Sequence, residues 1–455
     1  MEQVLGANEA IVGILGQPGA ARGKGRLLHY CLPVEVPEGV LLFNTLTREL
    51  LLLSQEEFAG ATENPVLWEK RFVVPEGTDE KKLVDLVRWV QKSMKKPPKR
   101  ITAYTILTTT DCNARCFYCY EMGRVRTPMS DETALKTAAF IKEKSRGKPV
   151  RIGWFGGEPL YNYRAIDLIC GSLRENGVEF ISTMISNGYL FDDEMVARAA
   201  GWNLKRVQIT LDGTEEVYNR CKAFVYREGS PYQVVTGNID RLLRNKIAVS
   251  VRMNLDFHNA EDLMTLADEL ARRFGGRPGF RAYAHLIFDD NMAWDARYSQ
   301  EKWAQLYQAK NRLEEKLLEL GLQSTGSLRL RRKLPENQCM ADAGNTVVVT
   351  PDGHLGVCEH FSETELIGHL DSPERDQAVI DSFRQRCQEL PACATCFYYP
   401  ECLRLKKCPD LIPCIEPERR SIRQQMERTV RNEYRLWRTA APEFEAEPED
   451  EGHME

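Results

Sequence analysis

The sequence contains no apolar run long enough to cross a bilayer. Its longest apolar stretches, 40–43 and 50–53, have four residues each, whereas a spanning helix needs about twenty. The first residues, Met1-Glu2-Gln3, also lack the basic start and the apolar core of a secretory signal peptide. We therefore expect a cytoplasmic protein with no membrane partner.

The sequence also lacks a strong excess of charge of either sign. It has 61 Lys and Arg residues against 66 Asp and Glu residues, and the formal net charge is −5. Without bulk basicity there is no general electrostatic attraction to a phosphate backbone, and the slight acidity implies no special partner. We expect no nucleic-acid partner.

Cysteine, in contrast, is abundant, with 14 residues. Disulfides are rare in the reducing compartment expected for this chain, so ligation of a metal or cluster explains the cysteines better. Three of them lie within 112–119 and eight lie between Cys339 and Cys414, whereas Cys31, Cys170 and Cys221 are scattered. The scattered cysteines are expected to behave as small buried hydrophobic residues.

The first group, Cys112, Cys116 and Cys119, directly follows a β-like run at 101–110. A strand that ends in a tight loop can turn three thiolates toward one point, and three thiolates leave one iron of a four-iron cluster open to a small molecule. A zinc loop is the alternative, but zinc usually takes four ligands in two close pairs. No fourth Cys or His lies nearby in the sequence, so the spacing favours a cluster.

From residue 101 onward, strand-like and helical patterns alternate. The strand-like runs are 101–110, 150–155, 180–186, 206–211, 249–255 and 280–287, and the helical stretches between them are 130–145, 163–176, 192–200, 235–246 and 260–274. Six such units predict parallel strands with right-handed crossovers, too few for a complete eight-stranded barrel. We predict an α/β fold with an open six-unit barrel, whose chemistry lies at the carboxyl ends of the strands.

Polar residues follow these predicted strand ends. After the second strand comes Gly156-Gly157-Glu158-Pro159, whose glycines let the backbone approach a ligand and whose carboxylate can accept a hydrogen bond from an ammonium group. The next three strands contribute Ser186, Asn187, Thr210, Arg220, Arg252 and Asn254. Either arginine can pair bidentately with a carboxylate, and the sequence leaves the choice between them open.

The spacing Cys-x3-Cys-x2-Cys, with Tyr118 before the third cysteine and Gly-Gly-Glu-Pro one β/α unit later, resembles the signature of the radical S-adenosylmethionine (SAM) enzymes. The resemblance implies a partial (β/α)6 barrel and a [4Fe–4S] cluster on Cys112, Cys116 and Cys119. It also implies that the Gly-Gly-Glu-Pro turn holds the amino group of SAM. Further SAM contacts would come from Tyr118, Ser186, Asn187, Thr210, Asn254 and Arg220 or Arg252.

The same resemblance implies a reaction. The cluster passes one electron to SAM, the sulfonium C–S bond breaks, and a 5′-deoxyadenosyl radical abstracts hydrogen from the substrate. An electron donor such as flavodoxin or ferredoxin is therefore an expected partner.

The later cysteines resemble the SPASM extension of radical SAM enzymes, which carries up to two auxiliary [4Fe–4S] clusters. The resemblance implies a first auxiliary cluster on Cys339, Cys358 and Cys408, and a second on Cys393, Cys396, Cys402 and Cys414. Cys408 and Cys414 depart from the family spacing. Cys387 either completes the first cluster or leaves it an open iron for a substrate thiolate. A zinc ribbon is the alternative, since Cys-x2-Cys is also a zinc pair.

Four segments are expected in the chain. Residues 1–98 predict a small α+β, winged-helix-like module that resembles the leader-binding domains of peptide-modifying enzymes, or else an extension that only packs on the main domain. The partial barrel then covers 99–320, and the SPASM domain with a C-terminal helix covers 321–438. The acidic, apolar-poor tail at 439–455 is expected to be disordered.

Three functions are compatible with this organisation. The first is a radical SAM/SPASM maturase that installs a thioether or carbon–carbon cross-link in a ribosomally made precursor peptide, which would be the main partner. The second is an anaerobic sulfatase-maturing enzyme that forms formylglycine, with Glu359 as the candidate base. The extra N-terminal module, which typical sulfatase maturases lack, favours the first. The third is a non-enzymatic, zinc-stabilised peptide-binding protein.

Overall fold

The computed structural model describes residues 1–16, 24–95, 98–121, 123, 125–226, 228–287, 299–323, 328–360, 365–372, 374–408 and 414–439. The predicted disordered tail therefore lies, from residue 440 onward, outside the described residues. None of the described helices is long and apolar enough to span a membrane.

The N-terminal segment forms an antiparallel sheet with short helices. Its four-stranded sheet has the order β1-β5-β4-β3, and a separate two-stranded sheet pairs β2 with β6. The strands are β1 (Glu2–Leu5), β2 (Gly25–Leu27), β3 (Cys31–Val36), β4 (Gly39–Asn44), β5 (Leu50–Leu53) and β6 (Val73–Pro75). The helices are α1 (Glu9–Leu15), α2 (Gln55–Ala59), α3 (Pro65–Glu69) and α4 (Glu80–Met94). We refer to residues 1–95 as the N-terminal module.

Two elements of this module, β1 and α1, are very short. The four residues of β1 have too short a pattern to identify a strand, and β1 is defined by its antiparallel pairing with β5. Helix α1 has only seven residues, and Asn8 caps it by accepting from the backbone N–H of Ile11. Short elements of this kind depend on tertiary contacts more than on local propensity.

The central part of the chain forms the predicted open barrel. Its six strands are parallel and pair in chain order. They are β7 (Ala103–Leu107), β8 (Val150–Phe155), β9 (Phe180–Ser186), β10 (Leu204–Leu211), β11 (Ala248–Leu255) and β12 (Phe280–Leu286). The helices are α5 (Asp131–Ser145), α6 (Tyr163–Glu175), α7 (Asp193–Gly201), α8 (Glu215–Lys222), α9 (Pro231–Arg244), α10 (Ala260–Phe274) and α11 (Gln300–Glu319).

The alternation of side chains along these strands separates the core from the barrel interior. In β9, Phe180, Ser182 and Met184 are buried, whereas the residues between them are more exposed. Most of the buried apolar side chains of the strands and helices belong to one large core cluster. The last residue of β9, Ser186, also lies on the buried face, at the carboxyl end of the strand.

The C-terminal cysteine region continues the same sheet. Strand β13 (Thr346–Val349) pairs in parallel with β7, and the hairpin partner β14 (His354–Gly356) and then β15 (Gly368–His369) follow. The helices of this region are α12 (Met340–Ala343), α13 (Gln377–Phe383) and α14 (Glu416–Thr439). Strand β7, which leads into the first cysteine loop, is therefore the direct neighbour of the C-terminal region in the sheet.

Candidate active site

Three thiols lie in the loop that follows β7. The backbone N–H of Cys119 donates to the carbonyl of Cys116 at 3.1 Å, which closes a tight turn between these two cysteines. Burial raises the pKa of the Cys112 thiol to about 12, and the charges of Glu158, Cys116 and Cys119 also raise it. Thiols that influence one another in this way lie close together, and a bound cationic centre would relieve their repulsion.

The two glycines after β8 pack against this cysteine loop. A Cβ on Gly156, whose φ is +120°, would lie 2.1 Å from the carbonyl oxygen of Thr109, and a Cβ on Gly157 would lie 2.3 Å from that of Asp111. The backbone N–H groups of Gly157 and Glu158 donate to the same two carbonyls at 3.0 and 2.8 Å. The sequence predicts that these glycines let the backbone approach a ligand. The backbone that they approach in the structure is that of the cysteine loop.

Gly157→Ala is therefore expected to destabilise the protein by about 1–3 kcal/mol, because backbone atoms on both sides of the contact would have to move. The midpoint of chemical denaturation measures this change. Gly171→Ala is the matched control, since a Cβ on this helical glycine meets nothing within 4 Å. Equal midpoints for the two variants would contradict the packing role.

Glu158 is a buried carboxylate held by three donors. Its exposure is 0%, and it accepts from the Ser186 hydroxyl at 2.9 Å, from the Asn187 backbone at 2.9 Å and from the Leu160 backbone at 3.1 Å. Burial raises the pKa of Glu158 to about 7, although these hydrogen bonds lower it. A carboxylate that is fixed and dehydrated in this way is well suited to pair with an ammonium group.

A chain of amides leads from Asn187 to the first cysteine. The Tyr189 backbone donates to Asn187 Oδ1 at 3.0 Å, so that Asn187 Nδ2 faces Asn113 Oδ1 at 2.6 Å and Cys112 Sγ at 3.7 Å. This fixes the orientation of Asn113, which is fully buried and whose Nδ2 finds no acceptor among the described residues. A buried donor without a partner is costly. A sulfur-rich cluster on the three thiols would offer acceptors beside Cys112, so the residues present fit such a group.

Asp212 connects the cysteine loop to two strand ends. It accepts from the Tyr118 hydroxyl at 2.8 Å and from Asn254 Nδ2 at 2.9 Å, and it lies 3.1 Å from Lys222 Nζ. Lys222 also donates to the Tyr118 hydroxyl at 2.6 Å, and Arg252 Nε donates to Asn254 Oδ1 at 2.9 Å. The side chains of Asp212 and Lys222 are only 1% and 4% exposed. Asp212 and Lys222 are site residues that no sequence pattern indicated.

The structure separates the candidate cations. The Arg220 side chain is 68% exposed on α8 and lies 3.8 Å from Glu216, whereas Lys222, two residues later, points into the site. Arg252 lies opposite Thr210 in the β10–β11 pairing, and its terminal guanidinium nitrogens have no partner among the described residues. Burial lowers the pKa of Lys222, but the charges of Asp212 and Cys116 outweigh this and the net shift is upward. Lys222 is therefore a buried cation.

The later cysteines form two groups in space. Burial raises the pKa of the Cys358 thiol, and the charges of Glu359, Cys339 and Cys408 also raise it. Cys339, Cys358 and Cys408 are thus near one another, and their ligation of a first auxiliary cluster stays a prediction.

The second group gathers around Cys396. Burial raises the pKa of this thiol, and the charges of Cys414, Cys402 and Cys393 also raise it. Cys387 stands apart, because burial and Arg404 alone influence its pKa, in opposite directions. The four thiols of Cys393, Cys396, Cys402 and Cys414 are thus near one another, and no thiol is among the groups that shift the pKa of Cys387.

The described side chains form no single-ion site. Within the described ranges, no set of three or more His, Cys, Asp or Glu side chains is placed to hold one ion. Zinc needs its thiolates about 2.3 Å from one centre, whereas an iron–sulfur cluster spreads its cysteine ligands around a larger core. The donor sets are all-thiol, which is typical of cluster ligands.

Glu359 lies where the two cysteine regions meet. The ring of the next residue, His360, is 3.9 Å from the ring of Tyr120 between centroids, and Tyr120 directly follows Cys119. Glu359 Oε2 is buried and has no hydrogen-bond partner among the described residues. The candidate base is thus carried to the vicinity of the first cysteine loop, with one oxygen free to accept a proton.

A family comparison supports this interpretation of the first cysteine loop. Residues 106–270 match the sequence model of the Radical SAM superfamily. The chain contains a radical SAM domain. The superfamily consists of enzymes that use SAM and a [4Fe–4S] cluster. The matched region includes Cys112, Cys116, Cys119 and the Gly-Gly-Glu-Pro turn.

Similar curated proteins align mainly with part of the chain. GTP 3′,8-cyclase from Rhodopirellula baltica is 35% identical over 26% of this chain and 33% of its own length. The protein of the same name from Clostridium perfringens is 31% identical over 38% of this chain and 53% of its own length. The chain therefore spans between a third and about half of the length of these relatives.

Solved structures show the same fold over a larger share of the chain. The anSMEcpe structure with bound AdoMet has a TM-score of 0.57 at 14% identity, and it covers 75% of this chain and 96% of that one. Streptococcus suis SuiB bound to S-adenosylmethionine has a TM-score of 0.50 at 12% identity, and it covers 83% of this chain and 94% of that one. At such low identity the similarity concerns the fold alone.

Proposed function

We propose that this protein is a radical SAM peptide maturase that carries two auxiliary clusters and installs a thioether or carbon–carbon cross-link in a ribosomally made precursor peptide. The observation that carries the proposal is the grouping of ten cysteines into three separate sets. One set lies in the radical SAM domain, and the other two lie in the C-terminal region. An all-thiol arrangement of this kind serves electron transfer and substrate ligation better than scaffolding.

A peptide substrate is supported by the structural neighbours. One SuiB structure is described as bound to the precursor peptide SuiA, and one anSMEcpe structure holds AdoMet and a peptide. The SuiB chain covers 83% of this chain, compared with 75% for anSMEcpe. The TM-score is 0.50 for SuiB and 0.57 for anSMEcpe, so the fold similarity supports a peptide substrate and does not choose between the cross-linking and the sulfatase-type reaction.

Different residues of the site would bind the amino group and the carboxylate of SAM. When bound, the cluster and SAM supply the reductive C–S cleavage that produces the hydrogen-abstracting radical. Glu158 would accept from the amino group of SAM, with Ser186 and Asn187 fixing the orientation of its carboxylate. Arg252 and Lys222 are the two cations placed to neutralise the SAM carboxylate, in preference to the exposed Arg220. An electron donor of the flavodoxin or ferredoxin type would bind outside this site.

Glu359 supports a second candidate function, the sulfatase-maturing reaction. Its unpaired buried oxygen lies near the first cysteine loop, where a base could remove a substrate proton. In a cross-linking maturase the same carboxylate could take the proton released when the new bond forms. The product, rather than the position of Glu359, distinguishes the two reactions.

Co-expression with a small peptide encoded beside this chain tests the proposal. We expect the peptide to lose two hydrogens for each cross-link, as measured by mass spectrometry, and a Cys116→Ala form of the enzyme should leave the peptide unmodified. Loss of the cysteine sulfur with formation of an aldehyde would instead indicate the sulfatase-type reaction. Bound zinc without iron in the anaerobically purified protein would support the non-enzymatic alternative and overturn both.

A further inference from the structure

The N-terminal module is in direct contact with the loop that carries the second group of C-terminal cysteines. The Thr45 hydroxyl donates to the Phe397 carbonyl at 2.6 Å, and Arg48 Nη1 donates to Glu401 Oε1 at 2.5 Å. Residues 393–402 contain Cys393, Cys396 and Cys402, and we call them the cysteine platform. The Phe397 carbonyl and the Glu401 carboxylate of the platform are thus bound by residues that lie about 350 positions earlier in the chain.

The ion pair in this contact is buried. The side chains of Arg48 and Glu401 are only 1% and 5% exposed, and Arg48 also donates from Nε to the Arg331 carbonyl at 2.8 Å. A buried pair adds little net stability, but the loss of one partner leaves an uncompensated charge and is strongly destabilising. Such a pair therefore requires one relative placement of the two segments.

Arg88 on α4 holds the backbone of the platform itself. Its Nη2 donates to the carbonyl of Tyr399 at 2.7 Å and to the carbonyl of Cys402 at 2.9 Å. The guanidinium also lies over the Tyr399 ring, 4.9 Å from its centroid. The planar guanidinium of Arg88 thereby holds two carbonyls and the Tyr399 ring, an arrangement that lysine cannot reproduce.

Apolar packing joins the same two parts of the molecule. Tyr30 of the module stacks on Tyr399 with ring centroids 6.1 Å apart. Tyr399 belongs to the core cluster of the module, and Cys393 and Cys396 pack against that cluster. The cysteine platform is therefore built partly on the hydrophobic core of the N-terminal module, and it is not a self-contained loop.

We propose that the N-terminal module forms the support on which the second auxiliary cluster assembles, with Arg88 as the positioning residue that holds the Cys402 backbone. This inference rests on the proposed function, because it requires that the platform ligates a cluster. It adds a role to a module for which the sequence suggested only binding of a leader peptide or passive packing. Precursor bound to the module and a cluster on the platform would then share one rigid core.

Arg88→Met tests the inference in the full-length holoenzyme, with Cys402→Ala defining the protein that lacks this cluster. The wild type is expected to contain about twelve irons per chain. Arg88→Met is expected to lose about a third of them and to show the electron paramagnetic resonance spectrum of Cys402→Ala. The SAM-dependent spectral change of the first cluster should persist in both variants, which shows that the barrel remains folded.

Two further variants separate a positioning role from general stability. Lys82→Met, on the same helix and 82% exposed, should retain the full iron content. Arg88→Lys keeps the charge but not the two-carbonyl geometry, so it should lose an intermediate amount of iron. In the iron-free proteins, amide hydrogen exchange of residues 393–402 should be faster in Arg88→Met than in Lys82→Met.

The outcomes are distinguishable. A wild type with only about four irons would refute the auxiliary clusters and, with them, this inference. A wild type with twelve irons and an Arg88→Met protein with an unchanged iron content and spectrum would overturn the inference alone. If Arg88→Met does not fold, Arg88→Lys decides, because full iron content and unchanged hydrogen exchange in that variant would also refute the positioning role.

Discussion

Cys116→Ala is expected to abolish the formation of 5′-deoxyadenosine from SAM. The three thiols of the loop after β7 form one group, and removal of one leaves two ligands, too few to hold a cluster with a single open iron. Loss of a conserved outer partner of a metal site already costs 10–100-fold, so loss of a direct ligand should reduce the rate by more than about 100-fold. Chromatographic measurement of 5′-deoxyadenosine after reduction with dithionite checks this.

Cys221→Ala is the matched control for this experiment. Cys221 is half-buried on α8 and belongs to none of the three thiol groups. The Cys221→Ala variant should therefore form 5′-deoxyadenosine at the wild-type rate. Wild-type production of 5′-deoxyadenosine by Cys116→Ala would show that the first cluster is held elsewhere. Equal losses in the two variants would indicate damage to the fold rather than loss of a ligand.

Glu158→Gln is expected to weaken SAM binding by about 2 kcal/mol, or roughly 30-fold in Kd. The buried carboxylate is fixed by Ser186 and Asn187, and glutamine keeps its shape but removes the charge that would pair with the ammonium group of SAM. Equilibrium binding of SAM to the reconstituted protein measures the change. Glu175→Gln, at the exposed end of α6, is the control and should bind normally.

The pH dependence of SAM binding follows from the raised pKa of Glu158, about 7. Only the ionised carboxylate pairs with a cation, so Kd should rise about tenfold for the first pH unit below 7, approach the roughly 30-fold limit set by Glu158→Gln, and level off above pH 7. Glu158→Gln should remove this dependence. In the absence of SAM, the stability of the fold depends on pH in the opposite direction. The pKa of Glu158 is higher in the folded state than its unfolded value of 4.5, so the unfolded state loses its proton first. Glu158 therefore lowers the free energy of unfolding as the pH rises from 4.5 through 7. A wild-type Kd that does not change between pH 5 and pH 8 would contradict the assigned role.

Much of the barrel is predictable because its signals are local. The predicted strands at 150–155 and 180–186 and the predicted helix at 260–274 coincide with β8, β9 and α10. Helix α8 was not predicted because few of its eight residues have apolar side chains. The buried residues of this helix are Tyr218 and Lys222. A short helix with a buried lysine has no recognisable amphipathic pattern.

The choice between the candidate cations shows where local reasoning ends. Residues two apart on a helix point about 200° apart, so Arg220 and Lys222 cannot both face the barrel. The sequence indicated Arg220 and Arg252 as carboxylate partners and left the choice between them open. The orientation of α8 instead places Lys222 beside Asp212 and Tyr118 and leaves Arg220 in solvent.

The three close thiols and the strands and helices of the six β/α units can be predicted, because they depend on short spacings and on local hydrophobic periodicity. The radical SAM resemblance adds the Gly-Gly-Glu-Pro turn one β/α unit later. Which distant residues meet depends on the tertiary fold. The fold pairs Glu158 with Ser186 and packs Arg48 and Arg88 against the cysteine platform. These contacts arise from the packing of whole elements against one another, which no local pattern records.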